Sequence, residues 1–348
     1  MSPTKNSAAI FNSIPEGYPV LNETIVTGSS TIDLAEIPLS GGTLVKTLYL
    51  SIDPYLRGRM REVSSQPYIN EFTIGKPISN FGIGKVIRSE KDGVYPDDFV
   101  YVQELPFQEY NVLHPEHPLR VIKEEPGIPL SAYVGVLGMP GQTAFYGLEL
   151  VGKPVAGETI FVSSGASAVG SLVIQLAKAK GLKVIASVGS DDKVNFLRGI
   201  GVDVAFNYKK QNVADVLAKE GPIDIYWDNV GVSRQIEQAA LDACKVDARV
   251  VVCGAMSQYN ASEPYAIKNA IHILFKRLKV EGFFVISGEQ QYEGRLNDPT
   301  KFLNVLIPLV RSGQIKWSEQ VYKGIESVGE GIIAVQTGSN TAKVVIEI

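Results

Sequence analysis

Metal-ligating side chains are scarce in this chain. Only 2 cysteines and 3 histidines occur among 348 residues. Zinc sites draw on Cys, His and carboxylates held in clusters. Cys244 and Cys253 lie in apolar surroundings in the second half and read as reduced, buried thiols. His114 and His117 share an HPEHP segment, whose prolines make it an extended loop, and no cysteine accompanies it. No metal is expected. An excess of basic charge is also missing. Lys and Arg total 33 against 37 Asp and Glu, a net charge of -4. That balance argues against a nucleic-acid or membrane-surface partner. No apolar run reaches the roughly 18 residues of a membrane span. The opening MSPTKNSAAIFNSIPEGYPV lacks the continuous apolar core of a secretory signal. A cytoplasmic protein is expected. Internal repeats and low-complexity segments are absent as well.

The length suggests two domains. The first third reads as β structure. TLVKTLYLSI, FGIGKVIRS and DFVYVQEL are short runs rich in Val, Ile, Phe and Tyr, bounded by Gly, Pro, Asn and Asp. A compact β-rich domain, a distorted barrel, is the expectation. Near residue 140 the texture changes, and apolar strands begin to alternate with helices. ETIFVS, LKVIASV, VDVAFNY, IDIYWDNV, ARVVVCG and KVEGFF are six candidate strands. Near-continuous apolar runs of this kind suit strands buried on both faces of a parallel sheet. In AVGSLVIQLAKAKG, Val169, Leu172, Val173 and Leu176 fall on one helical face. Lys178 and Lys180 favour the helix dipole, and Gly181 suits the position after the cap. The result is a β-α-β unit of the size a dinucleotide fold needs. After KVEGFF comes a polar stretch, then FLNVLIPLVRSGQIKW, a helix and a strand, and NTAKVVIEI as a last strand. This tail is expected to return to the first domain.

The first of the six strands runs into Ser163-Ser164-Gly165-Ala166-Ser167-Ala168-Val169-Gly170 and then the helix. Small residues there let backbone N–H groups approach a pyrophosphate. An NAD-specific fold carries a carboxylate at the end of the second strand, to hold the ribose 2′-hydroxyl. Here that strand ends in Val188-Gly189-Ser190, and Lys193 follows within one turn, suited to a 2′-phosphate. Asp191 and Asp192 read as first-turn acids. Tyr208, at the end of the third strand, could cap the phosphate or be an ordinary surface aromatic. Tyr259 lies just beyond the fifth strand, after Cys253-Gly254. The carboxyl ends of parallel strands form the ligand crevice, so it should face the cofactor.

MPGQTAFYGL, the turn above, GSDDKV, VAFNYK, WDNVG, CGAMSQYN and EGFFV occur in this order, with LSIDPYLRGRM before them and GSNTAK at the end. Together they resemble the zinc-free medium-chain dehydrogenase/reductases, within them the prostaglandin reductase and plant alkenal double-bond reductase branch. The resemblance spans nearly the whole chain. It departs at Ser167, where the family usually has Gly, and at Thr341-Ala342, where Gly usually precedes Lys343.

The resemblance implies a GroES-like β-rich catalytic domain, residues 1–138 completed by 312–348, and a Rossmann α/β domain, residues 139–311, that binds NADPH on a doubly wound parallel sheet. It places Ser167, Ala168, Val169 and Gly170 on the pyrophosphate, and Lys193 and Tyr208 at the 2′-phosphate. Asn229 and the run Cys253, Gly254, Ala255, Met256, Ser257, Gln258 and Tyr259 would line the cofactor. Phe283, Phe284, Val285 and Asn340 would flank the nicotinamide. Tyr55 would line the substrate pocket, and Tyr259 would be the catalytic residue. Zinc-dependent relatives carry a cysteine ligand in the neighbourhood occupied here by Asp53-Pro54-Tyr55. The implied activity is NADPH-dependent reduction of the carbon–carbon double bond of enals and enones, with hydride to the β carbon and a proton to the α carbon. A phenol ordinarily titrates near about 10, so Tyr259 would be protonated and able to donate to the developing enolate oxygen. The alternatives are a zinc-free quinone reductase and a non-catalytic NADPH-binding protein. Relatives in the superfamily pair sheet edges, and VEGFFVI could serve as such an edge in a homodimer.

Overall fold

A computed structural model describes residues 3–62, 70–231, 236–263, 265, 267–285 and 299–348. The chain divides into two compact units, Met1–Gly135 with Glu319–Ile348, and Val136–Ser318.

In chain order the first unit opens with strands β1 (Thr4–Phe11), β2 (Ile25–Ile32), β3 (Thr43–Ser51), β4 (Ser79–Ser89), β5 (Phe99–Pro106), β6 (Tyr110–Leu113) and β7 (Leu119–Ile122). The second unit holds helix α1 (Met139–Gly147), then β8 (Thr159–Val162), α2 (Ala168–Ala179), β9 (Lys183–Val188), α3 (Asp191–Gly199), β10 (Val204–Asn207), α4 (Val213–Glu220), β11 (Ile223–Asp228), α5 (Ile236–Ala243), β12 (Cys244–Val252), α6 (Ile271–Phe275), β13 (Lys279–Gly282) and α7 (Thr300–Arg311). The first unit resumes with β14 (Glu319–Lys323), α8 (Val328–Thr337) and β15 (Lys343–Glu347). The polar stretch Gly288 to Asp298 lies outside the described residues.

Six parallel strands of the second unit stand in the order β10-β9-β8-β11-β12-β13. The chain winds outward one way from β8, then returns to wind the other way from β11, which places the switch point between them. Of the runs read as doubly buried strands, β8 and β9 are so, with Ile160, Phe161, Val162, Val184, Ile185 and Ala186 wholly buried, whereas β13 at the end of the sheet is largely exposed. Helix α2 is more deeply covered than its one-faced pattern implies. Ile174 and Ala177 are also fully buried; α2 packs against α1 as well as β8 and β9, and Ile174 lies beside Gly165. Gly181, at φ +79, ends it in the left-handed conformation that glycine adopts without a steric penalty.

The first unit does not close into a single barrel among the described residues. Its larger sheet runs β14-β15-β3-β4-β5-β7, with β6 branching onto β3, and β1 pairs β2 separately. Residues from Glu319 onward join this sheet, and β15 pairs antiparallel with β3. The crossing falls at Ser318 rather than at 312, because Gln175 of α2 grips the main chain of Lys316 from both sides. Its Nε2 donates to the Lys316 carbonyl at 2.8 Å and its Oε1 accepts from the Lys316 amide at 2.7 Å. Ile315–Trp317 consequently forms no strand. Among the described residues no helix is long and apolar enough to cross a membrane.

Candidate active site

The residues singled out in the second unit gather at one end of its sheet. Ser163 follows β8, Gly189 follows β9, Tyr208 follows β10, Asn229 follows β11, Cys253 follows β12 and Phe283 follows β13. These are the carboxyl ends of all six parallel strands, where an open α/β sheet binds its ligand.

The turn after β8 is shaped by close backbone approach. A Cβ added to Gly170 would lie 2.6 Å from the Ser164 carbonyl oxygen and 3.0 Å from the Gly165 Cα. No larger residue fits there without moving the backbone. Ser167 is the N-cap of α2, and its Oγ accepts from the Gly170 amide at 3.0 Å. The family's usual glycine is thus replaced by a residue that satisfies one of the free amides of the helix end. Ala168 and Val169 open the helix beside it, where backbone amides and dipole favour an anion.

The second strand's end explains the two acids that follow it. Ser190 caps α3 by accepting from the Lys193 amide at 3.4 Å. Asp191 takes Asn207 Nδ2 at 2.9 Å and Lys210 Nζ at 2.5 Å. The Asn207 bond first, and Lys210 with it, hold its carboxyl below the usual range. Asp191 is thereby committed to the neighbouring strand end, as well as to the dipole of α3. Lys193 is half-buried, and burial, then Lys209, lower its ammonium pKa. A Cβ on Gly189 would come within 3.3 Å of the Tyr208 hydroxyl and 3.5 Å of Lys209 Cε. Tyr208 and the Lys209 stem therefore converge over the glycine that ends β9. Lys209 escaped the sequence reading; its only signal was its place next to Tyr208.

At the switch point a buried polar knot joins β8 to β11. Ser163 Oγ donates to Asp228 Oδ1 at 3.0 Å, which also accepts from the amides of Val230 and Gly231. Burial pushes the Asp228 carboxyl up. The Asn229 side chain donates to the Ser163 carbonyl at 2.7 Å and accepts from Trp227 Nε1 at 3.0 Å. These bonds join the strands and use one Nδ2 hydrogen and one Oδ1 lone pair of Asn229.

The run from Cys253 to Tyr259 crosses that knot. The amides of Cys253 and Gly254 both donate to the Asp228 carbonyl, at 2.8 and 3.1 Å, and Ser257 N donates to the Val230 carbonyl at 2.9 Å. Gly254, Ala255, Met256 and Gln258 are partly exposed along this turn. Tyr259 is half-buried at its end. Burial, with Asp228 adding to it, pushes the Cys253 thiol up to about 12, so it is no nucleophile at neutral pH. Phe283 and Val285 are buried after β13, with Phe284 between them partly exposed.

Two singled-out residues belong to the first unit. Tyr55 sits on the single helical turn Pro54–Arg59, half-buried, with its hydroxyl donating to Asn80 Oδ1. Asn340 follows α8, and its Nδ2 donates to the Ala342 carbonyl at 2.9 Å. Asp53, beside Tyr55, is 5% exposed and pairs with Lys343 Nζ at 2.9 Å. Among the described residues no group of three or more potential metal ligands gathers.

Residues 9–121 match the N-terminal domain of oxidoreductase model, and residues 168–298 match the zinc-binding dehydrogenase model. The NADP(+)-dependent 2-alkenal reductase of Nicotiana tabacum is 36% identical, covering 98% of this chain and 97% of that one. The chain belongs to the medium-chain dehydrogenase/reductase family. Another member, (+)-pulegone reductase of Mentha piperita, is 35% identical over 92% of both chains. Among solved members, CurA from Vibrio vulnificus in complex with NADPH superposes with a TM-score of 0.83 at 29% identity, covering 98% of each chain. As a medium-chain dehydrogenase/reductase, this chain pairs a Rossmann-type sheet with a separate, largely antiparallel unit.

Proposed function

We propose that the protein is a zinc-free, NADPH-dependent reductase of the carbon–carbon double bond of α,β-unsaturated aldehydes and ketones. The observation that carries the cofactor choice is at the end of β9. There Asp191 is tied to Asn207 and Lys210, while Lys193 stands in the first turn of α3 and Tyr208 and Lys209 follow β10. Two ammonium groups and a phenol suit a 2′-phosphate; a committed carboxylate does not suit a ribose diol. The Ser167–Gly170 turn at the start of α2 would receive the pyrophosphate, and the close backbone packing at Gly170 holds that turn in shape.

When bound, NADPH supplies a hydride to the substrate's β carbon. Charge then develops on the substrate's carbonyl oxygen, and a hydrogen-bond donor aimed there lowers the barrier. In this reading Tyr259 donates, directly or by orienting the ribose hydroxyl, and a proton from water completes the α carbon. Tyr55 would form a wall of the substrate pocket, the Phe283–Val285 turn would flank the nicotinamide, and the Cys253–Gln258 run would line the cofactor. Both Asp53 carboxylate oxygens are engaged by Ser51, Asn80 and Lys343, so the neighbourhood that carries a ligand in zinc-dependent relatives has no idle donor. That supports a metal-free mechanism.

The same reading makes the protein a cytoplasmic homodimer. Strand β13 ends the sheet among the described residues, and Ile271, Leu274, Phe275 and Val280 near it are 52, 68, 71 and 45% exposed. A second copy paired along that edge would cover them.

The test follows NADPH oxidation against a panel of enals, enones and quinones, with product analysis. Saturated aldehydes and ketones as products support the reading. Turnover confined to quinones would replace it with quinone reduction, and NADPH binding without turnover of any substrate would leave a binding protein.

A further inference from the structure

The Tyr55 hydroxyl has one proton, and the structure shows where it goes. Asn80 is fully buried on β4. One of its amide atoms meets the Ser51 carbonyl oxygen at 2.9 Å. A carbonyl oxygen only accepts, so that atom is Nδ2, and the orientation of the amide follows from its partner. The same nitrogen donates its second hydrogen to Asp53 Oδ2 at 2.9 Å. Both donors of Asn80 are used. Its Oδ1 then faces the Tyr55 hydroxyl within hydrogen-bond reach, and since Oδ1 only accepts, the phenol donates.

The partners behind Asn80 keep it from turning over. Asp53 Oδ2 also accepts from Ser51 Oγ, and Asp53 Oδ1 accepts from Lys343 Nζ at 2.9 Å. Lys343 donates as well to the Ile52 carbonyl at 2.6 Å. Asp53 and Lys343 are 5 and 7% exposed. Reversing the Asn80 amide would set its carbonyl oxygen against the Asp53 carboxylate and the Ser51 carbonyl, two repulsive contacts in a dry interior. Burial first, then Asp53 and Glu104, raise the Tyr55 pKa well above 10, so the phenol keeps its proton throughout the working range.

We propose that Asn80, held by Asp53 and Lys343, is a positioning residue that presents Tyr55 to substrate as a hydrogen-bond acceptor only. The inference rests on the reading that Tyr55 lines the substrate pocket. It has two consequences. Tyr55 cannot supply the hydrogen bond that the developing enolate needs. It also selects among substrates: an unsaturated aldehyde or ketone bearing a free hydroxyl can donate to Tyr55, whereas its methyl ether cannot.

The test is a matched trio of aryl enones carrying a phenolic hydroxyl, its methyl ether, or hydrogen. In the wild type, kcat/KM should favour the hydroxyl compound over the ether by about tenfold, the value of one neutral hydrogen bond. Asn80→Ala releases the phenol proton, which can then turn to the ether oxygen. The preference should fall to about one because KM for the ether improves. Tyr55→Phe should erase the preference by the opposite route, through a worse KM for the hydroxyl compound. If Asn80 only supported the fold, its loss would lower all three substrates together and leave the ratio intact. An unchanged ratio in folded Asn80→Ala overturns the proposal. So does a wild-type ratio of one or below, which needs no variant. Should Asn80→Ala fail to fold, the wild-type ratio and Tyr55→Phe decide. If the wild type reduces none of the trio, the reductase reading fails instead. The preference is then read as a ratio of dissociation constants, by calorimetry with NADP+ present.

Discussion

Ser167 Oγ accepts the Gly170 amide at 3.0 Å, so the residue that departs from the family's glycine caps helix α2. Ser167→Ala should cost ~1 kcal/mol of stability, the usual value of an N-cap. Ser167→Asn should retain most of it. Urea unfolding of the apoprotein measures both; an alanine variant as stable as the wild type would show that the cap contributes nothing.

Lys193→Ala should weaken NADPH binding by roughly tenfold to a hundredfold, corresponding to about 1.5–3 kcal/mol for a charged hydrogen bond, and leave NADH little changed. The pH dependence has a definite sign. Burial and Lys209 lower the Lys193 pKa, so the cation is present below that value and lost as pH rises through it. NADPH affinity should therefore decline in the alkaline range earlier than an ordinary lysine would allow, with NADH affinity flat. Titration calorimetry with both cofactors checks this, and equal losses for the two would remove Lys193 from the 2′-phosphate.

Tyr259→Phe should reduce kcat for enone reduction by a hundredfold to a thousandfold if the phenol donates directly, about 2.7–4 kcal/mol. A loss nearer tenfold would point to a role through the ribose hydroxyl. NADPH affinity should change much less. Unchanged kcat and KM on several enones would leave cofactor and pocket shape as the catalyst.

Phe275→Glu should convert a homodimer to monomers, since Phe275 is 71% exposed beside the terminal strand β13. Light scattering at micromolar concentration reads this directly. A wild type already monomeric there contradicts the assembly.

Exhaustive chelation should leave turnover intact, with elemental analysis of the active protein showing no stoichiometric zinc. Inactivation by chelator and recovery with zinc would contradict the metal-free mechanism.

The parts of the fold legible in the sequence are those set by local pattern. Runs such as VIASV are largely apolar because both faces of β9 are covered, and the six runs named between Glu158 and Phe284 are the parallel strands of the second unit. The end of each strand then located Ser167, Lys193, Tyr208 and Tyr259 near the sheet's carboxyl edge. Long-range relations were not legible. Lys343 and Asp53 are 290 positions apart, and nothing near either marks the partner. Asn80 lies near the start of β4 between Ser79 and Phe81, and only the folded sheet brings it to Tyr55. Ile174 and Ala177 lie off the apolar face assigned to α2, yet both are fully buried in the folded unit. Gln175 holds the tail at Lys316 through a side chain that reads as an ordinary helix polar group.

The last strand has a consequence for how the chain is made. β15 covers the Tyr49–Ser51 stretch of β3, and Lys343 supplies the only cation paired with the buried Asp53 carboxylate among the described residues. Both arrive after Val136–Ser318 has been synthesised. Domains fold as units while the ribosome is still adding residues, and an uncompensated buried charge is strongly destabilising. The contiguous second unit can therefore complete its sheet first, while the first unit waits with an open β3 edge for residues 319–347. Birth order and folding order should then be reversed, with nascent chains stalled before Lys343 carrying a folded second unit behind an unfinished first one.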